Sequence, residues 1–251
     1  MKKLFAITLV LLLSLSFTAC FDGDEAESTA EVTVATTEDV NAIEPENVNN
    51  SNDALIDMNI IEVGQKVSFG VYEQDNDTSN GAEPIEWTVL DIGGKYALLI
   101  SDFALDAKAY DSTGADGVTW ENSTIRAWLN NDFLNTAFSD SEKTNVCDTT
   151  LENSVVDKVF LLSTSEIDEF FDANESRVVS ATAYAKAAGV YTANGFSDDD
   201  ASLNGTCRWW LRTAGENGAA RVKNTGEVSL VGYDMGSDTI AVRPAIWIAI
   251  R

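Results

Sequence analysis

The amino-acid composition changes abruptly near residue 57, and this change limits which part of the chain can fold. Residues 21–56 contain ten acidic residues, no Lys and no Arg, together with many Ser, Thr and Asn. Such a segment cannot bury enough apolar surface to offset the conformational entropy lost on folding. We therefore predict a disordered acidic tether over residues 20–56 and one folded domain over residues 57–251. The tether is either a spacer that lifts the domain off the membrane or a disordered segment without a role of its own.

The first 19 residues have the layout of a secretory signal, with two Lys, an apolar run and then small residues before Cys20. The apolar run is shorter than the ~20 residues that a membrane-spanning helix needs. The segment Phe17-Thr18-Ala19-Cys20 resembles a bacterial lipoprotein lipobox, which implies cleavage after residue 19 and a lipid on Cys20. The lipid would hold the protein on the extracytoplasmic face of the cell membrane. An ordinary signal-peptidase site in the same segment is the alternative.

Charge and residue usage exclude several classes of function. The chain has 41 acidic and 16 basic residues, and the domain alone keeps 31 and 14, so its net charge is -17. Such a surface repels phosphate backbones, which excludes nucleic acid as a partner. The chain has no His, which removes the commonest general base and every zinc site that needs an imidazole. Its three Cys are too few and too far apart for an iron–sulfur cluster.

Strand patterns occupy both ends of the domain, and one further strand pattern lies between the helical segments. The Gly93-Gly94 pair lies between two apolar runs and is typical of a hairpin turn. The predicted strands cover Lys66–Tyr72, Ile85–Leu90, Tyr96–Ile100, Lys158–Leu162, Arg208–Arg212, Ala220–Val222, Val228–Val231 and Ala241–Ile248. The first three are predicted to form a meander.

Helical patterns lie between these groups of strands. In Ser123–Leu134, the apolar residues recur at a spacing that places them on one face of a helix. Ser139 with Glu142, and Ser163 with Glu166, fit the capping box that begins a helix. A further helix is predicted near Thr182–Ala187. Strands and helices in separate blocks predict an α+β domain.

Several motifs resemble a bacterial domain family of unknown function, found in secreted or lipid-anchored proteins. The clearest are Trp209-Trp210-Leu211-Arg212 and Val242-Arg243-Pro244-Ala245, and the order of the motifs is kept over residues 60–251. The chain has Thr213-Ala214-Gly215 where the family usually has Ser-Pro-Gly. More distantly, the Trp-rich and Arg-bearing strands are similar to C-type lectin-like folds, including formylglycine-generating enzymes. The resemblance implies a C-type lectin-like domain without fixing its function.

The aromatic and arginine residues of these motifs form a candidate ligand site. An exposed Trp209, Trp210 or Tyr233 beside Arg212 and Arg243 would stack on a sugar ring while polar neighbours bond its hydroxyls. The alternative is that both Trp residues belong to the core and both Arg residues are structural ion-pair partners.

A second candidate site is an acidic loop after the first strand. Asp75, Asp77, Ser79 and Glu86 have the spacing of a calcium-binding loop, although its Gly lies one position late and strands flank it. The alternative is a polar hairpin loop, because Asp and Asn also favour turns. Asp198–Asp200 is predicted to be a solvated loop. We predict no cofactor; a calcium ion in this loop is the one candidate.

Cys147 and Cys207 are the two cysteines that remain after processing. In an oxidising compartment they would form a disulfide or remain two buried thiols.

Taken as a whole, the sequence predicts a non-enzymatic surface module that recognises a carbohydrate, peptide or protein. An enzyme that uses carboxylates, such as a glycoside hydrolase, and a structural surface protein are the alternatives.

Overall fold

Two five-stranded sheets form the framework of the domain. The computed structural model describes residues 61–115, 117–194 and 201–250; the predicted signal, the tether, Cys20 and Asp198–Asp200 lie outside these residues. Strands β1 to β12 span, in chain order, Lys66–Tyr72, Glu83–Gly93, Tyr96–Ser101, Asp106–Ala107, Thr149–Thr150, Val156–Asp157, Val159–Phe160, Trp209–Gly215, Gly218–Val222, Val228–Tyr233, Ala241–Val242 and Ala245–Ala249. Helices α1 to α6 span Thr124–Trp128, Leu134–Ala137, Asp140–Asn145, Thr164–Phe170, Asn174–Arg177 and Ala183–Ala188. The predicted α+β class is confirmed.

The first sheet has the order β1-β2-β3-β12-β7, and all of its pairs are antiparallel. The predicted meander is confirmed as β1 to β3. Gly94 turns the chain between β2 and β3 with φ +62°, a left-handed conformation that glycine adopts without steric cost.

The second sheet has the order β10-β9-β8-β11-β4. The prediction of a single strand over residues 241–248 is wrong. The chain leaves this sheet after β11 and enters the first sheet as β12. Pro244 lies at the crossing, where its missing N–H breaks the ladder. Arg243 Nε donates a 2.9 Å hydrogen bond to Ser101 O, and Ser101 ends β3 at the place where that chain segment also changes sheet.

The predicted helix starts are confirmed. Ser139 and Ser163 each form a complete capping box, and the side chains of Ser123 and Thr182 accept the N-terminal hydrogen bonds of α1 and α6. Between α1 and α2 the helix continues as a π-helical turn, Leu129–Phe133. Ile125, Leu129 and Phe133 are buried as the apolar spacing predicts, whereas Trp128 is half-buried.

One hydrophobic core joins the two sheets and the helices. Its largest members with no exposed surface are Trp87, Trp209 and Trp210. Full burial of a large apolar side chain contributes about 2–3 kcal/mol of stability. In the described ranges, no helix combines the length and apolar character required to span a bilayer.

Candidate functional site

A cleft of about 220 Å³ opens where the chain leaves β4 and where α1 begins. Six residues line it: Lys108, Ala109, Ser112, Thr124, Ile125 and Trp128. We refer to it as the Lys108–Trp128 cleft. Ligands of proteins usually occupy concavities that combine apolar walls with a few convergent polar groups, and this lining has that character.

The charged wall of the cleft is Lys108. Its Nζ lies 4.9 Å from the centre of the Trp128 ring, within the range of a cation–π interaction. The same Nζ lies 3.1 Å from Asp106 Oδ2. The ammonium is therefore held between a carboxylate and an indole, and it presents a hydrogen-bond donor at a fixed place in the wall.

Buried neighbours orient the carboxylate of Asp106. Tyr72 Oη donates to Asp106 Oδ2 over 2.6 Å, and the backbone N–H of Ala107 donates to Oδ1 over 2.7 Å. Burial, reinforced by the charge of Asp106, raises the pKa of Tyr72 well above its usual range, so the phenol stays protonated and keeps donating. The ring of Tyr184 packs edge-on against Tyr72 at 5.8 Å between ring centres and completes this support.

The hydroxyl wall of the cleft is formed by Ser112 and Thr124. Ser112 N donates to Thr124 Oγ1 over 3.0 Å, which brings the two side chains together. Below them, buried Asp111 accepts from Thr124 N at 3.2 Å and from Thr113 N at 3.0 Å. Burial acts to raise the pKa of Asp111, but hydrogen bonds from the Thr113 hydroxyl and from these backbone N–H groups outweigh it, so the pKa lies below its usual value. The ionised carboxylate thus joins the loop to the start of α1.

The two predicted Trp ligands lie elsewhere and are inaccessible. Trp209 and Trp210 have 0% exposed surface. Their indole N–H groups donate to Arg177 O at 3.1 Å and to Lys108 O at 2.9 Å. This corrects their predicted binding role: β8 lies in the middle of its sheet and is covered on both faces, so neither ring can stack on a sugar.

The predicted arginine ligands are also buried. Arg212 pairs with Glu152 Oε2 at 2.7 Å and with Glu166 Oε2 at 2.5 Å, and Arg243 lies 5.1 Å from the Trp209 ring. Burial lowers the pKa of Arg243 to about 10. The alternative of a structural ion-pair partner matches Arg212. Arg243 instead donates to a backbone carbonyl and has no carboxylate within 4 Å among the described residues. Tyr233 is the one predicted aromatic ligand that keeps some exposure.

The acidic loop is folded by its own hydrogen bonds. Asp75 Oδ1 accepts from Asp77 N at 2.7 Å, and Asp77 Oδ1 accepts from Ser79 N at 3.1 Å. The fourth predicted ligand, Glu86, lies in β2 opposite Ser68 of β1. These contacts are those of a polar hairpin loop.

Within the described ranges, the acidic oxygens that the fold brings together are those of Glu73, Asp75 and Glu83, within 4.8 Å of one another. Glu73 Oε1 accepts from Asp77 N at 3.0 Å, and Glu83 Oε2 accepts from Gln74 N at 2.6 Å. The calcium site stays a prediction, and this set shares only Asp75 with it.

The two cysteines do not form the predicted disulfide. Cys207 is a free, fully buried thiol, and burial raises its pKa to about 12. Cys147 is also buried, and its Sγ donates to Asn145 O at 3.8 Å. The alternative of two buried thiols matches this arrangement.

No sequence pattern indicates a binding role for the residues that line the cleft. The apolar spacing predicts Trp128 on the buried face of a helix, and no motif includes Lys108 or Ser112. The sequence gives only a weak indication of this site. Trp128 is the largest side chain on the apolar face of the helix, and a residue at the edge of that face packs only partly against the core.

Comparisons with known proteins identify a family and no individual relative. Neither the curated proteins nor the solved structures contain a significant match to the chain. Residues 94–250 match the family described as a domain of unknown function, DUF6273, and these residues include every wall of the Lys108–Trp128 cleft. Because the match extends over more than half of the sequence, the chain belongs to the DUF6273 family.

Proposed function

We propose that the protein is a lipid-anchored, non-enzymatic recognition module on the extracytoplasmic face of the membrane, and that it binds a sugar ring in the Lys108–Trp128 cleft. The observation that carries this proposal is the meeting of an indole, an ammonium and two hydroxyls in one concavity. An indole packs on the apolar face of a sugar, while ammonium and hydroxyl groups bond its oxygens. The anchor is supported by the signal and lipobox of residues 1–20.

The lining of the cleft favours binding over hydrolysis. Glycoside hydrolysis needs two carboxyl groups roughly 5–10 Å apart across the bond to be cleaved. The six lining residues include no carboxylate. The adjacent Asp106 is buried and already bonded to Tyr72 and Lys108, so it is unsuited to proton transfer with a ligand.

The size of the cleft limits the ligand. Its volume of about 220 Å³ is below the roughly 300–1,000 Å³ of pockets for drug-sized ligands. We therefore expect a single ring, either a free monosaccharide or the end of a glycan. The C-type lectin-like fold expected from the sequence forms part of this proposal.

Isothermal titration of the purified protein with glucose, N-acetylglucosamine and glucuronic acid tests the proposal. We expect saturable binding of at least one sugar at a ratio of one. Trp128→Phe and Ser112→Ala should weaken it, because each removes a contact from the cleft. Ser141→Ala, an exposed serine on α3, is the matched control and should bind normally. Binding of none of the sugars, or hydrolysis of their nitrophenyl glycosides, would refute the proposal.

A further inference from the structure

Arg221 is a partly buried cation with two unpaired donor nitrogens in the described part of the chain. It lies in β9, opposite Trp210 of β8 and Ser229 of β10. Its guanidinium carbon lies 3.8 Å from the centre of the Tyr233 ring. Its Nε and Nη1 atoms are shielded from solvent and have no hydrogen-bond partner among the residues that the structure describes.

Unpaired buried donors are rare because burial removes their water without replacing it. Arg212 binds two glutamates, and the partly exposed Arg126 binds Asp157 Oδ1 through Nε at 2.8 Å. Arg177 and Arg243 each leave one buried nitrogen unpaired as well, but each also donates to a backbone carbonyl, Phe171 O and Ser101 O respectively. The domain carries 31 acidic residues, so carboxylates are abundant. None of the described ones lies within ion-pair distance of Arg221, although Lys223, two residues along, pairs with Glu227 at 2.9 Å.

Arg208 adds a second positive charge on the same face of the sheet. Trp209 pairs with Val222 and Trp210 with Arg221, so alternation along the strands places Arg208 on the side of Arg221. The guanidinium carbon of Arg208 lies 5.6 Å from the centre of the Tyr191 ring, which is 51% exposed. Among the described carboxylates, none is within ion-pair distance of Arg208 either. Burial, and after it the positive charge of Arg208, lowers the pKa of Arg221.

We propose that Arg208 and Arg221 form a binding site for an oxyanion group, with Tyr191 and Tyr233 as the surfaces that hold the two guanidinium planes. A planar guanidinium bonds carboxylate, phosphate and sulfate oxygens through paired N–H groups, and an aromatic face fixes its orientation. An oxyanion would supply the missing acceptors and separate the two positive charges. This site is distinct from the Lys108–Trp128 cleft and does not depend on the proposed sugar.

The net charge of the protein restricts the ligand to a small or locally charged one. A domain of net charge -17 repels extended polyanions, but at physiological salt charges beyond about 8 Å are largely screened. A single oxyanion group close to two guanidiniums therefore experiences mainly those two charges. We expect a doubly charged group to bind more tightly than a singly charged one, because it matches both cations.

Calorimetric titration of the purified protein with inorganic phosphate, sulfate and acetate, at constant ionic strength set with chloride, tests this site. Saturable binding is expected, tighter for phosphate or sulfate than for acetate. Arg221→Gln and Arg208→Gln should each weaken it at least about tenfold, because each removes one bidentate donor. Arg221→Lys keeps the charge and should still bind more weakly than the natural protein.

Two controls separate this proposal from general charge effects and from the sugar cleft. Lys66→Gln removes one exposed positive charge on β1 and should leave oxyanion binding unchanged, as should Ser112→Ala. Arg221→Gln should fold at least as stably as the natural protein without anions, since it removes a cation with unpaired buried donors.

Equal binding in Arg221→Gln, or no saturable binding by any of the three anions, would overturn the proposal. Binding that appears only after Asp198, Asp199 and Asp200 are changed together to Asn would also overturn it, because the arginines would then serve an acidic segment of this chain.

Discussion

Glu166 and Arg212 join helix α4 to strand β8 through two hydrogen bonds, 2.5 Å from Nη1 to Oε2 and 2.9 Å from Nη2 to Oε1. The same Glu166 accepts from Ser163 N at 2.7 Å and so closes the first turn of α4. Arg212 Nη1 also donates to Leu161 O at 2.8 Å. One carboxylate therefore serves a local helix cap and a long-range ion pair.

Replacing Glu166 by Gln should lower the free energy of unfolding by about 2 kcal/mol, because Arg212 is 5% exposed and would lose a charged hydrogen-bond partner. Gln retains the capping box, so the helix start should survive. Glu152→Gln is the matched control: its side chain is 60% exposed, and its loss should cost less than about 1 kcal/mol. Urea unfolding measures both, and equal losses would contradict this assignment.

The pairing of Glu152 with Arg212 should make stability depend on pH. Burial acts to raise the pKa of Glu152, but the hydrogen bonds and charge of Arg212 lower it below the usual 4.5. A carboxyl whose pKa is lower in the folded state binds fewer protons there, so its contribution is complete above pH ~5 and is lost as the pH falls through the folded pKa. Thermal unfolding between pH 7 and pH 3 should show a smaller decline for Glu152→Gln than for the natural protein. Parallel curves would exclude this linkage.

Gly226, in the turn between β9 and β10, should not tolerate a side chain. Its φ is +82°, and a Cβ there would lie 1.8 Å from Asn174 O. Gly94 has a similar φ of +62° with open space around it, so Gly94→Ala measures the backbone cost alone, about 1–2 kcal/mol. Gly226→Ala should lose at least about 2 kcal/mol more, because the backbone near Asn174 must also move. Similar denaturation midpoints for the two variants would argue against this contact.

The thiol of Cys207 should be inert in the folded protein. Burial raises its pKa to about 12, so almost no thiolate exists at pH 8. Iodoacetamide should therefore label Cys207 only after unfolding, and without any prior reduction. Mass spectrometry of the labelled peptides checks both points. A need for reductant before labelling would show that Cys207 forms a disulfide after all.

Cys20 should determine where the protein is found. In a bacterial host, the natural chain should fractionate with membranes and carry a lipid on Cys20, because two or more acyl chains give stable anchoring. Cys20→Ser should lose the lipid and either remain unprocessed or be released. Cell fractionation measures where each protein is found, and mass spectrometry of the N-terminus detects processing and the lipid. Ser141→Ala serves as the control. A lipidated Cys20→Ser protein would disprove the assignment.

The parts of the fold that the sequence predicts well depend on neighbours along the chain. The β1–β3 meander follows from apolar runs around Gly93-Gly94, and the starts of α3 and α4 follow from Ser–Glu pairs three residues apart. The strand predicted over 241–248 was wrong because its apolar pattern continues across Pro244. Only pairing with β3, β4 and β8, all distant in sequence, reveals that it belongs to two sheets.

The candidate sites depended on tertiary structure. The α+β class, the helix caps and the acidic character of the domain are all predictable from the residues alone. The sequence offered Trp209 and Trp210 as candidate ligands with a core position as the alternative, and their burial depends on partners such as Lys108 O, 102 residues away from Trp210. The partial exposure of Trp128, and the lack of an acceptor for Arg221 among the described residues, likewise depend on which distant strands and loops cover these side chains. The local spacing of residue types does not determine such long-range packing. It does determine helix caps and turns, because their hydrogen bonds join residues only a few positions apart.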